Sequence, residues 1–175
     1  MHQHSNRGTG KIVNTHKVIS LLVKPNDFFA DIGCGPGDYL KEAAKLTKNA
    51  IGIDIDTVSI EKVKALHLKG IVADATKKIP LKSSSLDSIL LANVLHGFVA
   101  NNEMSAMKEI ARLLKRKGLL GIVEFRKNMT FGIGPDRKIR LSKKEVIDLI
   151  EPYGFSKIGS AWVGLFNYLV IFEKI

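Results

Sequence analysis

The sequence has a single cysteine, Cys34, among its 175 residues. One cysteine cannot form an intramolecular disulfide, and no cysteine or histidine pair has the spacing of a metal-binding motif. Acidic residues are also scarce, because 27 Lys and Arg outnumber 17 Asp and Glu and leave a formal net charge of +10. The cysteine usage is typical of a reducing compartment, so we expect a cytoplasmic protein.

Long apolar runs are missing as well. The longest run, from Ala161 to Phe172, is shorter than a membrane span and is interrupted by Gly164 and Asn167. The first residues have no apolar signal-peptide core. We therefore predict no membrane span, and a composition of 45% hydrophobic and 25% charged residues excludes disordered and fibrous classes.

Short apolar runs alternate with helical patterns along the chain, which is typical of an α/β fold with a mostly parallel sheet. Strands are predicted at residues 28–32, 50–54, 70–73, 86–93 and 119–124, and two more between 155 and 172 form a terminal antiparallel hairpin. Helices are predicted at residues 11–23, 40–47, 57–68 and 104–114 and from 142 onward. We expect one domain over residues 1–175, with an N-terminal tail and helix at 1–26.

A glycine-rich turn joins the first predicted strand to the next helix. Gly33, Gly35 and Gly37 follow Asp31 in this turn. Alternate glycines allow the backbone to approach a ligand closely, and the free amides of the following helix attract anions. A second acid, Asp54, ends the next strand, where a carboxylate can accept both hydroxyls of a ribose. The glycine spacing differs from the pyrophosphate-binding pattern, which disfavours a nicotinamide oxidoreductase.

These motifs and several that follow them, in order, resemble the class I S-adenosylmethionine (SAM) dependent methyltransferases, in particular the small type 11 group related to quinone-biosynthesis C-methyltransferases. The resemblance implies a Rossmann-like methyltransferase fold with a seven-stranded sheet and helices on both faces. The matching segments run DIGCGPG (31–37), GIDID (52–56), VADA (72–75), IPL (79–81), SLDSI (85–89), NVLH (93–96) and ARLLKRKG (111–118).

The resemblance also implies roles at the methionine end of SAM. Gly33, Gly35 and Gly37 would line the methionine, and Asp31 would order the loop or approach the amino group. Asn93, at the end of the fourth strand, would border the methionine and the transferred methyl group. Taken singly, glycines and acids at strand ends are also frequent turn formers, so only the joint pattern indicates a site.

At the nucleoside end, the resemblance gives Asp54 to the ribose and Ile55 to the adenine face. Asp74 would accept a hydrogen bond from the adenine amino group, while the Ala75 amide faces the ring. Asp56 is predicted to be a helix N-cap rather than a ligand.

Two residues on the same rim are candidates for a general base, His96 and Glu124. His96 follows the fourth strand, and its ordinary pKa suits proton transfer near neutral pH. A histidine that is only hydrogen-bonded in a loop is an equally good interpretation, because many members of the family need no dedicated base. No acidic cluster indicates a metal, so none is predicted.

The loop at 126–141 is a candidate lid over the acceptor site, since loops of this length are often functional. Arg137, Lys138 and Arg140 in it could bind an anionic group of the acceptor. We predict methyl transfer to a small-molecule or lipid-like acceptor. Two alternatives stay open: an RNA or DNA methyltransferase, which the net charge favours and the missing Pro-Pro-Tyr type motif disfavours, and a non-catalytic SAM-binding interaction subunit.

Overall fold

A computed structural model describes residues 13–129 and 134–175. The predicted N-terminal tail and the centre of the predicted lid, at 1–12 and 130–133, lie outside these ranges. The strands are β1 (Phe29–Ile32), β2 (Ala50–Asp54), β3 (Lys69–Val72), β4 (Leu86–Ala92), β5 (Leu114–Phe125), β6 (Phe155–Trp162) and β7 (Asn167–Lys174). The helices are α1 (Thr15–Leu22), α2 (Asp38–Ala43), α3 (Thr57–Ala65), α4 (Leu95–Ala100), α5 (Ala106–Leu113) and α6 (Lys143–Ile150), with short 3-10 turns at Arg137–Ile139 and Glu151–Tyr153.

The strands form one seven-stranded sheet in the order β3-β2-β1-β4-β5-β7-β6. Strands β1 to β5 pair in parallel, whereas β7 is antiparallel to both β5 and β6. The predicted mostly parallel sheet with a C-terminal antiparallel hairpin is therefore confirmed. Every residue of β1 is buried, as expected for a central strand that is covered on both faces.

Helices cover both faces of the sheet, as the family resemblance implies. On one face, Ile19 of α1, Leu40 of α2 and Val63 of α3 are fully buried in a single apolar cluster. On the other face, Met107 of α5 and Val146 of α6 belong to a second cluster, which includes Leu95 of α4. Each helix thus buries one apolar stripe against the strands.

Two local predictions were wrong. The chain forms α4 directly after β4, a helix that the sequence pattern did not predict because the segment is short and contains Gly97. Strand β5 begins at Leu114, which pairs with Leu86, rather than at Leu119. The left-handed residue at this junction is Lys117, with φ of 60°.

The strand order places a crevice at the carboxyl ends of β1 and β4. The chain leaves β1 toward β2 on one side, whereas β4 lies on the other side of β1. The loops after β1 and β4 therefore run in opposite directions, and α/β proteins bind their ligands in the crevice that opens between such loops.

Candidate active site

Three glycines leave the backbone of the loop after β1 uncovered by side chains, so a ligand can approach it closely. Gly33, Gly35 and Gly37 have φ of 74°, 49° and 86°, all in the left-handed region. A Cβ atom on Gly33 would lie 2.4 Å from Cγ2 of Val94 on the neighbouring loop. The three glycines thus permit both the turn and the close approach of the loops that follow β1 and β4.

Asp54 fixes this loop from the end of β2. The Gly35 amide donates to Oδ2 of Asp54 at 2.8 Å, and the Asp56 amide donates to Oδ1 at 2.9 Å. The structure therefore brings Asp54 to the glycine loop, as expected for two adjacent strand ends. Each carboxylate oxygen can accept a further hydrogen bond, so Asp54 retains the capacity to bind hydroxyl groups of a ligand.

Asp31 is fully buried at the same place. Neither of its carboxylate oxygens has a hydrogen-bond partner within the described residues. Burial, together with the smaller effect of the negative charges of Asp54 and Asp38, raises the pKa of Asp31 to about 8. A buried acid with unsatisfied oxygens suits a ligand that brings positive charge or hydrogen-bond donors.

Apolar side chains lie exposed at the ends of β2 and β3. Ile55 follows β2 with 69% of its surface exposed, and Val72 ends β3 with 46% exposed. Asp74 then forms a turn, in which its Oδ1 accepts from the Thr76 amide and hydroxyl, and these bonds lower the pKa of Asp74. Ala75 is buried in the core beside it. Exposed aliphatic groups next to acids fit a flat ring with polar edges.

Asn93 follows β4 in the left-handed region, with φ of 59°. Its Oδ1 accepts from Nδ2 of Asn167, at the start of β7, at 3.2 Å. The Nδ2 of Asn93 and the Oδ1 of Asn167 have no partner among the described residues, although both atoms are buried. Asn167 was not predicted from the sequence, because only the sheet order brings β7 close to the end of β4.

His96 and Glu124, predicted as separate candidates, form one hydrogen-bonded pair. Nδ1 of His96 lies 2.8 Å from Oε2 of Glu124, and the His96 amide donates to Oε1 at 3.0 Å. Both residues are buried, Glu124 completely. A carboxylate only accepts hydrogen bonds, so Nδ1 carries the hydrogen and Nε2 is the basic nitrogen of the neutral ring.

The predicted lid contributes less surface charge than its sequence suggests. Arg137 lies in an exposed 3-10 turn. Arg140 is buried instead, and its guanidinium donates to the carbonyls of Pro135 and Met129 at 2.9 and 3.2 Å. Arg140 thus ties together the two ends of the loop rather than facing a ligand.

The sequence pattern also missed a groove at the terminal hairpin, which we call the Trp162 groove. The half-exposed Trp162 ring ends β6, and the guanidinium carbon of Arg126 lies 4.5 Å from the ring centroid. Nζ of Lys143 lies 4.0 Å from the same centroid. The groove is lined by Arg126, Lys127, Asn128, Ser142, Lys143, Trp162 and Tyr168.

Comparisons with known proteins agree with this geometry. A family model described as "Methyltransferase domain" matches residues 30–122. A ubiquinone/menaquinone biosynthesis C-methyltransferase UbiE from Campylobacter jejuni is 33% identical over 120 residues, which cover 63% of this chain and 50% of that protein. The chain thus spans about half the length of the curated relatives it matches first. A bovine protein named "Probable tRNA methyltransferase 9B" is 32% identical over 100 residues, 57% of this chain and 21% of that protein.

Among solved structures, a SAM-dependent methyltransferase from Aquifex aeolicus superposes with a TM-score of 0.83 at 24% identity, covering 95% of this chain and 93% of that one. This chain belongs to the methyltransferase-domain family. The predicted type 11 methyltransferase family and the predicted Rossmann-like fold are confirmed. No helix within residues 13–129 and 134–175 is long and apolar enough to cross a membrane.

Proposed function

We propose that this chain catalyses methyl transfer from SAM to a small-molecule or lipid-like acceptor. The main support is one observation. The left-handed glycine loop, Asp54 and the unpaired buried Asp31 lie together at the point where the strand order reverses. The proposal takes residues 1–175 as one catalytic domain, with the 126–141 loop as its lid, in a cytoplasmic protein.

The residues of the crevice fit SAM group by group. Asp31 would lie near its positive charge, Asp54 would accept from the ribose hydroxyls, and Ile55 would pack on the adenine. Asp74 and Ala75 would border the adenine edge, while the three glycines and Asn93 would border the methionine. When bound, SAM supplies a methyl group that is already activated for in-line transfer.

The chain's own contribution to the chemistry is orientation and proton removal. Glu124 holds the His96 ring through Nδ1 and holds the start of α4 through the His96 amide. This arrangement leaves Nε2 of His96 to accept the proton of an acceptor hydroxyl, amine or acidic carbon. An imidazole that a buried carboxylate holds through Nδ1 keeps Nε2 in a fixed position for this role.

A small acceptor is supported by the UbiE relatives, whose printed name refers to quinone biosynthesis. The relative named as a tRNA methyltransferase, together with the net charge of +10, favours nucleic acid as the second candidate acceptor. The two candidates differ in their dependence on salt, because binding to nucleic acid releases counterions and weakens steeply as the salt concentration rises.

The test is transfer of a radiolabelled methyl group from SAM to either a small-molecule metabolite extract or total RNA. We expect label in the small-molecule fraction, and a fall of about a hundredfold in rate for His96→Asn without loss of SAM binding. Label confined to RNA would instead support the second candidate. SAM binding without label in either pool would support a non-catalytic subunit.

A further inference from the structure

The Trp162 groove concentrates positive charge that the described part of the chain does not balance. The Arg126 guanidinium donates to the Leu165 carbonyl, and Nζ of Lys143 lies 3.5 Å from the Ser160 hydroxyl. Neither cation forms an ion pair with a carboxylate within residues 13–129 and 134–175, whereas Lys127, beside them, pairs with Glu145. Two unbalanced cations therefore converge on one aromatic ring.

Lys143 is partly buried and has two other cations near it. Burial, followed by repulsion from Lys157 and Arg126, lowers the pKa of Lys143. The pKa falls because the charged form is disfavoured, so an anion bound between the cations would relieve the repulsion. An arginine adds two parallel donors that match a carboxylate or phosphate group.

The groove lies on the same face of the sheet as the His96–Glu124 pair. Glu124 of β5 is directly opposite Tyr168 of β7, which is directly opposite Trp162 of β6. Directly paired residues project from one face, and neighbouring strands are about 4.8 Å apart, so the backbones of Glu124 and Trp162 are separated by roughly 10 Å. The groove therefore lies on the His96 side of the sheet, two strands from Glu124.

The size of the groove indicates what it can hold. Its volume is about 140 Å³, close to that of cavities that accept a single benzene ring. Only one aromatic ring in its lining is substantially exposed, because Tyr168 is buried. A strand of nucleic acid is bound by successive stacking platforms, which this lining does not supply.

We propose that the Trp162 groove binds the carboxylate or phosphate group of a single-ring acceptor between Arg126 and Lys143, and thereby directs the ring toward His96. The acceptor role rests on the proposed methyl transfer. Binding of the anion does not, because every group that contacts it lies outside the cofactor crevice.

Trp162 is the only tryptophan in the 175-residue sequence, so intrinsic fluorescence reports on the groove directly. The protein is titrated without SAM, using benzoate and phenyl phosphate as anionic probes and benzamide as the neutral isostere of benzoate. We expect a saturable change with the anions and a Kd at least about tenfold higher for benzamide, as for the loss of a charge-assisted hydrogen bond. The ratio of the two anion affinities then distinguishes a carboxylate site from a phosphate site.

Lys143→Gln and Arg126→Gln should each raise the Kd for benzoate by about fivefold or more. The matched control is Lys144→Gln, because Lys144 is the next residue and pairs with Asp148 away from the groove. Unchanged circular dichroism and Tm confirm that each variant is folded. Failure of this test leaves SAM binding to the crevice untouched, so it is distinguishable from failure of the proposed function.

Three results would overturn the proposal. Equal affinity for benzoate and benzamide would show that the negative charge does not contribute to binding. An unchanged Kd for benzoate in Lys143→Gln and Arg126→Gln would show that the two cations do not bind the anion. Displacement of benzoate by a short single-stranded RNA at much lower concentration would assign the groove to nucleic acid.

Discussion

Glu124 binds His96 twice, once through the imidazole Nδ1 at 2.8 Å and once through the backbone amide at 3.0 Å. The first contact fixes the ring and its tautomer, and the second fixes the start of α4. Because Glu124 is completely buried and follows the central part of β5, the pair is rigidly placed at the edge of the crevice. The rotation of the ring is therefore set by the fold rather than by a ligand.

Glu124→Gln should lower kcat by roughly tenfold to a hundredfold, a part of what a general base contributes. The amide keeps the shape of the side chain and its bond to the His96 amide, but it no longer stabilises a protonated imidazole. We expect the loss to fall on kcat, with little change in the Kd for SAM or in Tm. A loss of activity matched by a lower Tm and weaker SAM binding would indicate a purely structural role.

Asp31→Asn should make the SAM-free protein more stable than the wild type, by an amount that grows as the pH rises. The carboxyl has its ordinary pKa of 3.8 when unfolded and about 8 when folded. Between these values the folded state holds a proton that the unfolded chain releases, so the free energy of unfolding falls with rising pH. The asparagine variant lacks this dependence.

Urea unfolding at about pH 5 and about pH 9 measures the difference. We expect similar stabilities at the lower pH and an advantage of at least about 1 kcal/mol for Asp31→Asn at the higher pH, which is the order of cost of an unsatisfied buried group. The same variant should bind SAM more weakly, because the negative charge opposite the cationic part of the cofactor is lost. If the free energies of unfolding of the two proteins changed equally with pH, the pKa of Asp31 would not be raised in the folded state.

Ile55→Ala should weaken SAM binding without affecting the fold. The side chain is 69% exposed in the free protein and covers no core. Removing about 40 Å² of apolar contact with the adenine costs about 1 kcal/mol, roughly fivefold in Kd. The control is Leu46→Ala, because Leu46 is an exposed leucine between α2 and β2, near the amino end of β2 and so away from the crevice. Equal Kd values for Ile55→Ala and the wild type would exclude Ile55 from the adenine site.

The central strands could be predicted from the sequence because burial on both faces leaves a simple signal. Residues of β1 and β4 form nearly continuous apolar runs, and the structure buries most of them. The junction at Leu114 was harder, since Lys115 to Lys117 have the charge pattern of a helix end but lie inside β5, in the irregular stretch between the Leu86–Leu114 and Ser88–Leu119 pairs. There the tertiary contact between Leu114 and Leu86 overrides the local pattern.

Contacts between strands that are far apart in sequence explain which features of the candidate site could not be predicted. His96 and Glu124 were both predicted on the rim, but their pairing depends on β4 and β5 being neighbours in register. The Trp162 groove gave no signal, because Arg126, Lys143 and Trp162 are brought together only when the terminal hairpin folds against β5.

Calorimetric titration of the wild type, Asp54→Ala and Asp56→Ala tests most directly whether the crevice binds SAM. Asp56 is the control because its carboxylate caps α3, accepting from the Val58 and Ser59 amides. We expect the wild type and Asp56→Ala to bind SAM, and Asp54→Ala to bind about tenfold to a hundredfold more weakly after losing charged hydrogen bonds. Absence of SAM binding to the folded wild type, or equal affinity in Asp54→Ala, would show that the crevice is not the SAM site.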